Sequence, residues 1–138
     1  MRPAPPWRLV AAVAVGGAVG AVLRWSVGEV APDGSGFPFG TLAINLLGSF
    51  ALALLPALDA VRRSRLLTVG LGPGLLGGFT TLSATSEQAR VLLADDRVLV
   101  AASYLLVTLG ACVAGVALAH RWSSPAAQRV FEAAEGNE

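Results

Sequence analysis

The stretch 74–88, GLLGGFTTLSATSEQ, decides how this chain is read. Two adjacent glycines, Gly77 and Gly78, are followed by seven hydroxyl, carboxyl or amide side chains within nine residues. The flanking sequence is mostly Ala, Val, Leu and Gly. A water-soluble loop carries such groups freely. A bilayer span carries them only where protein or an enclosed cavity satisfies them, because lipid offers no hydrogen-bond partners.

The flanking composition places the stretch inside a membrane. The chain has 138 residues, of which 54% are hydrophobic and 14% charged, and its mean hydropathy is +0.66. Soluble domains carry about a quarter charged residues. A helical span needs about 20 mostly apolar residues, and four stretches qualify: 9–27, 38–58, 66–93 and 98–120. These predict an all-α membrane protein forming a single four-helix domain, with a short polar tail that is either helical or disordered. Arg2 and Arg8 before an apolar run imitate a signal peptide. No small-residue cleavage site ends that run and three further spans follow, so it is read as the first transmembrane helix.

Several function classes drop out. Cys112 is a lone cysteine in an apolar helix, which excludes a disulfide framework or a cysteine metal site. His120 stands alone at a helix end. The formal net charge is +1 and the basic residues are scattered, so no nucleic-acid partner is expected. No nucleotide-binding or catalytic constellation is visible, and the chain is not read as an enzyme.

All ten basic residues are arginines. Arg2, Arg8, Arg62, Arg63, Arg65, Arg121 and Arg129 fall on one side of the predicted spans, and Arg24, Arg90 and Arg97 on the other. Positive charge near helix ends stays cytoplasmic. The expectation is a multi-pass protein of the cell membrane with both termini inside.

Within the spans, small and polar residues stand out. Gly16 and Gly20, four apart in the first helix, allow another helix backbone to come close. Arg24, near the end of that helix, is either an interface anchor or paired with a neighbouring helix. In the second helix Asn45 shares a face with Thr41 and Ser49. It marks a functional site or an interhelical hydrogen bond. In the third, Gly70, Gly74 and Gly78 recur at four-residue spacing, and Pro73, Gly77 and Gly78 weaken helical continuity. A break near 77–80 frees carbonyls at mid-membrane, a known way to coordinate small cations. The alternative is a kinked helix closed by Ser/Thr bonds. In the fourth, Tyr104 and Thr108 share one face and read as packing residues.

Three segments together, GGAVGAVLRW (16–25), FGTLAINLLGSF (39–50) and GGFTTLSATS (77–86), resemble in order the signatures of the CrcB/Fluc family of fluoride channels, GGxxGAxxRY, GTLxxNxxGSF and GGxTTFSTFSxE. The resemblance spans all four helices. It implies an antiparallel dimer with fluoride pores along the subunit interface and a central, structural sodium ion. By the resemblance, backbone carbonyls of Gly77 and Thr80 would hold the sodium, Asn45 would line the pore, and Ser83 and Ser86 would supply hydroxyls. Such donors suit fluoride, a small, strongly hydrated anion that must exchange water for N–H and O–H groups. The family's two pore phenylalanines offer positive ring edges. Here their positions hold Leu82 and Thr85. Ala84 replaces a family Thr, Gln88 the family Glu, and Glu87 lies one residue early. Phe79 occupies the variable position before the threonine pair.

The lost aromatic wall and the seven-to-three arginine bias point to a subunit of fixed orientation. The dimer is then either a homodimer or, on this reading, a heterodimer with an oppositely inserted homologue that supplies the missing rings. A non-conducting partner subunit, and a small proton-coupled exporter using Glu87, are the competing expectations.

Overall fold

In the computed structural model, which describes residues 6–34 and 36–136, the chain is entirely helical. Four stretches are long and apolar enough to cross a membrane: Pro6–Val30, Phe39–Ala57, Arg65–Ala94 and Val98–Trp122. The first span is a single helix, α1 (Pro6–Val30). The second is α2 (Phe39–Leu54), closed by a 3-10 turn at Leu55–Ala57. A short helix, α3 (Asp59–Arg62), turns the chain toward the third span.

The third span is segmented. It begins as α4 (Arg65–Val69) and widens into a π-helix over Gly70–Leu76. The cause of the widening lies at Pro73, which has no N–H for the Val69 carbonyl and whose ring would strike that carbonyl in an α-helix. One α-helical turn follows, α5 (Gly77–Phe79). Thr80 (φ −74°, ψ 159°) and Thr81 (φ −153°, ψ 112°) are extended. The chain re-enters a helix as α6 (Leu82–Ala94), with the Thr81 hydroxyl accepting from the Ala84 N–H at 3.0 Å as its N-cap. This cap satisfies one of the orphan donors of the new helix start.

The fourth span is α7 (Val98–Ala119), and the chain ends in α8 (Pro125–Gly136). Helix α8 folds back. Its Phe131, 4% exposed, is buried with Leu55, Val61 and Leu76. The start of α1, the α2–α4 connection and the C-terminal helix therefore share one end of the bundle. Arg8, Arg62, Arg63, Arg65, Arg121 and Arg129 belong to that end, and Arg24, Arg90 and Arg97 to the opposite one. Arg2 lies outside the described residues.

Glycine sets the packing of α1. A Cβ on Gly16 would collide with the Gly70 carbonyl, one on Gly20 with the Leu75 carbonyl, and one on Gly78 with the Gly17 carbonyl. The four-residue glycine spacings thus serve contact of α1 with the π segment and α5 within one chain. On the other side α2 packs along α7. Between the two pairs, Gly48 of α2 lets Thr80 approach, because a Cβ there would meet the Thr80 methyl.

Candidate functional site

The site forms where α2 faces the two extended residues of the third span. An interrupted helix leaves backbone groups without i+4 partners, and buried ones are costly unless paired. Asn45 supplies the pairing. Its Oδ1 accepts from the Thr81 N–H at 2.8 Å, and its Nδ2 donates to the Thr81 carbonyl at 3.1 Å. The carboxamide thus mimics a neighbouring strand for one residue. The second Nδ2 hydrogen goes to Thr85 Oγ1 at 2.8 Å, and that hydroxyl donates to the Thr81 carbonyl at 2.9 Å. Both Asn45 donors and the Thr85 proton are consumed inside the chain.

This pairing has an electronic consequence for Gly77. In an uninterrupted helix its carbonyl would accept from the Thr81 N–H, four residues on. Asn45 takes that N–H instead. The Gly77 carbonyl loses its helical donor, and the extended ψ of Thr80 turns the Thr80 carbonyl off the helical path. Two backbone oxygens within four residues are thereby made available to an electrophile such as a small cation. Among the described residues no three His, Cys, Asp or Glu side chains converge, so oxygen ligands at this point come from the main chain and hydroxyls. The Thr80 hydroxyl itself is tied to the Leu76 carbonyl at 2.9 Å.

Beside the clasp lies an open cavity of about 460 Å³, lined by Asn45, Ser49, Thr80, Thr81, Leu82 and Thr85 and, from α7, by Leu105, Thr108, Leu109 and Cys112. Among the described residues no charged side chain lines it. Thr108 Oγ1 is buried and, among the described residues, has no hydrogen-bond partner, while the hydroxyl of Tyr104, one turn earlier on α7, faces the hydroxyls of Thr85 and Thr41. Tyr104 is 0% exposed and lies edge-on to Phe37. At the end of α2 nearer Phe37, Asp33 accepts from the Gly40 and Thr41 N–H groups at 2.7 and 3.1 Å and from the Thr41 hydroxyl. Thr41 is thus spoken for, whereas Thr108 keeps a hydroxyl proton to offer.

The residues singled out from the sequence fall into two groups. Asn45, Thr80, Leu82 and Thr85 meet at the cavity. Gly77, Ser83 and Ser86 are on the outer surface of the third span, and Leu82 borders both. Leu82 is 81% exposed, and an added Cβ on Gly77 would meet only the Gly72 carbonyl, at 3.8 Å. Nothing inside the chain requires Gly77 to be glycine. Ser83 Oγ lies 3.1 Å from Thr81 Oγ1. Glu87 points outward and pairs bidentately with Arg90 at 2.6 and 2.8 Å. Tyr104 and Thr108 are the polar residues the sequence left as packing. Their signal was two hydroxyls four residues apart on an otherwise apolar helix, and only their burial beside the cavity and its clasp distinguishes them from ordinary packing.

A four-span, all-helical membrane protein with an amide-clasped interruption in its third span is the class these features define. The family described as CrcB-like protein, camphor resistance (CrcB), matches residues 11–120. A Nocardia farcinica protein named fluoride-specific ion channel FluC 2 is 40% identical over 127 residues, covering 88% of this chain and 91% of its own. A Halobacterium salinarum protein named fluoride-specific ion channel FluC 1 is 43% identical over 119 residues, 86% of this chain and 92% of its own. A Roseiflexus protein named fluoride-specific ion channel FluC is 41% identical over 116 residues, 79% of this chain and 91% of its own. The chain belongs to the CrcB family.

Proposed function

We propose that this protein is a subunit of a fluoride channel that lets fluoride leave the cytoplasm passively. The observation that carries the reading is the Asn45 clasp on Thr81 beside an uncharged, hydroxyl-lined cavity. An anion path needs donors and no fixed negative charge, and Thr108 offers an uncommitted donor there. Family membership and the printed names of the relatives support fluoride as the ion.

The working unit is an antiparallel dimer. The exposed face of the third span, with Gly77, Leu82, Ser83 and Ser86, is the surface a second subunit would cover, and the open space at Gly77 suits a close approach there. Ser83 and Ser86 would then add hydroxyls to the ion path. A structural sodium ion would be held by the Gly77 and Thr80 carbonyls of both subunits, and the diversion of the Thr81 N–H to Asn45 fits that role. When bound, the cation would neutralise the exposed carbonyl dipoles at the interruption.

Leu82 and Thr85 replace the rings expected in the pore wall, and the arginine-rich end favours one orientation, with both termini on the cytoplasmic side of the cell membrane. This favours a heterodimer with an oppositely inserted homologue over a dual-topology homodimer. In such an assembly this chain conducts or only completes the pore of its partner. The exporter reading is weakened by Glu87, which is exposed and neutralised by Arg90.

The test is fluoride efflux from liposomes holding the purified chain, followed with a fluoride electrode, chloride as control. Fast fluoride-selective efflux shows that the chain conducts alone. No efflux from folded protein, restored by co-reconstitution with a second family member, establishes the partnered subunit. Efflux that requires a proton gradient and fails in Glu87→Gln would overturn the channel reading.

A further inference from the structure

Away from the clasp, a second and larger groove of about 600 Å³ runs between α1 and the start of the third span. Its walls are Val15 and Val19 of α1 and Leu67, Leu71 and Leu75 opposite, with the close contact of Gly16 and Gly70 forming its floor. At one end the rim is Trp7 and Arg8, the guanidinium lying 5.3 Å from the indole centroid. The polar parts of the groove are confined to that end. Arg65 immediately precedes Leu66, which also lines the groove, so the rim belongs to the arginine-rich end of the bundle.

We infer that this groove is a binding site for one anionic diacyl phospholipid. Three observations fix the occupant. First, the groove is a long apolar trough open to the side, the shape of an acyl chain. Second, Trp7 is 65% exposed beside it, and tryptophan settles at headgroup depth, which sets the rim at the phosphate level. Third, the rim is positive: Arg8 meets a phosphodiester with its guanidinium, and basic recesses between spans at the cytoplasmic side hold anionic headgroups. A zwitterionic lipid would fill the trough equally well and gain less at the rim. The site is independent of the fluoride reading, since it shares no residue with the Asn45 cavity. Leu71 and Leu75 of the π segment form one wall.

The experiment uses Trp7 as its own reporter. In a Trp25→Phe/Trp122→Phe chain, Trp7 is the remaining tryptophan. The purified protein is reconstituted in phosphatidylcholine vesicles with increasing fractions of dibrominated phosphatidylglycerol or, separately, dibrominated phosphatidylcholine. Quenching of Trp7 is expected to reach its half-maximum at about fivefold less brominated phosphatidylglycerol, the effect of roughly one arginine at the membrane surface. Arg8→Gln should bring the two curves together, and if that variant does not fold, high salt should do the same for the parent. Identical curves in the parent overturn the proposal and leave only unselective annular lipid. A preference that survives both Arg8→Gln and high salt removes the rim from the recognition and also overturns it. No quenching by either lipid shows the groove covered by another protein surface, a second copy included, and refutes a lipid occupant.

Discussion

Replacing Asn45 by leucine separates two roles that an amide in a channel can have. Leucine keeps the branched outline of the amide at a larger volume and removes every side-chain hydrogen bond. Three bonds are lost at the interruption: Nδ2 to the Thr81 carbonyl, Nδ2 to Thr85 Oγ1, and the Thr81 N–H to Oδ1. Each is worth about 1 kcal/mol net in a protein, and nearer 0.6 kcal/mol on average between membrane helices, where the unfolded chain also finds partners. The expected loss is therefore about 2–3 kcal/mol, or roughly a 30- to 150-fold shift of the unfolding equilibrium by the usual conversion. The Thr81 N–H can return to the Gly77 carbonyl only if Thr80 and Thr81 become helical, which would move Thr81 off the α6 cap. Reversible unfolding in mixed detergent micelles measures the stability, and liposomal fluoride efflux measures the function. A variant as stable as the parent that has merely lost efflux would refute the clasp and leave Asn45 as a pore donor alone. Asn45→Asp is the companion. It keeps an acceptor for Thr81 but sets a carboxylate oxygen against the Thr81 carbonyl and negative charge beside the cavity, so efflux should fall; unchanged flux would argue against Asn45 bordering the ion path.

Other substitutions probe other parts of the structure. Gly20→Ala drives a methyl into the Leu75 carbonyl and should cost 1–3 kcal/mol or about that as α1 is pushed off the π segment; Gly110→Ala, with open space around it, should leave the melting temperature in detergent unchanged, and equal behaviour of the two would refute the packing. Phe131→Ala should cost about 3–5 kcal/mol, because the ring is buried against Leu55, Val61 and Leu76, and limited proteolysis should then release α8 while the spans persist. Tyr104→Phe removes a buried hydroxyl that faces Thr85 and Thr41 without a well-formed hydrogen bond, so stability should change by no more than about 1 kcal/mol; a drop in fluoride efflux from that stable variant would place the hydroxyl on the ion path, and unchanged efflux would leave it a packing residue.

Composition and hydrophobic run length are local properties, and they were enough for the membrane class and the four spans, whose ends the structure moves by at most three residues. The glycine and proline pattern of the third span also reads directly, since Pro73 forbids a regular helix wherever it is placed. Identity of the motifs was likewise carried by one-dimensional order. Other features depend on what the fold brings alongside. Gly16, Gly20 and Gly78 could have served contacts between chains; only the docking of α1 on the π segment and α5 made them contacts within one. Asn45 left two readings open because its partners, Thr81 and Thr85, lie 36 and 40 residues away. Tyr104 and Thr108 read as packing because a hydroxyl's importance in a membrane depends on whether a partner is at hand, and that is a property of three-dimensional neighbours. The polar tail allowed helix or disorder until Phe131 found a pocket made by residues from three other segments. Sequence alone therefore determined what each segment can tolerate in lipid, and the tertiary structure decided which polar groups are consumed by the fold and which remain to meet an ion.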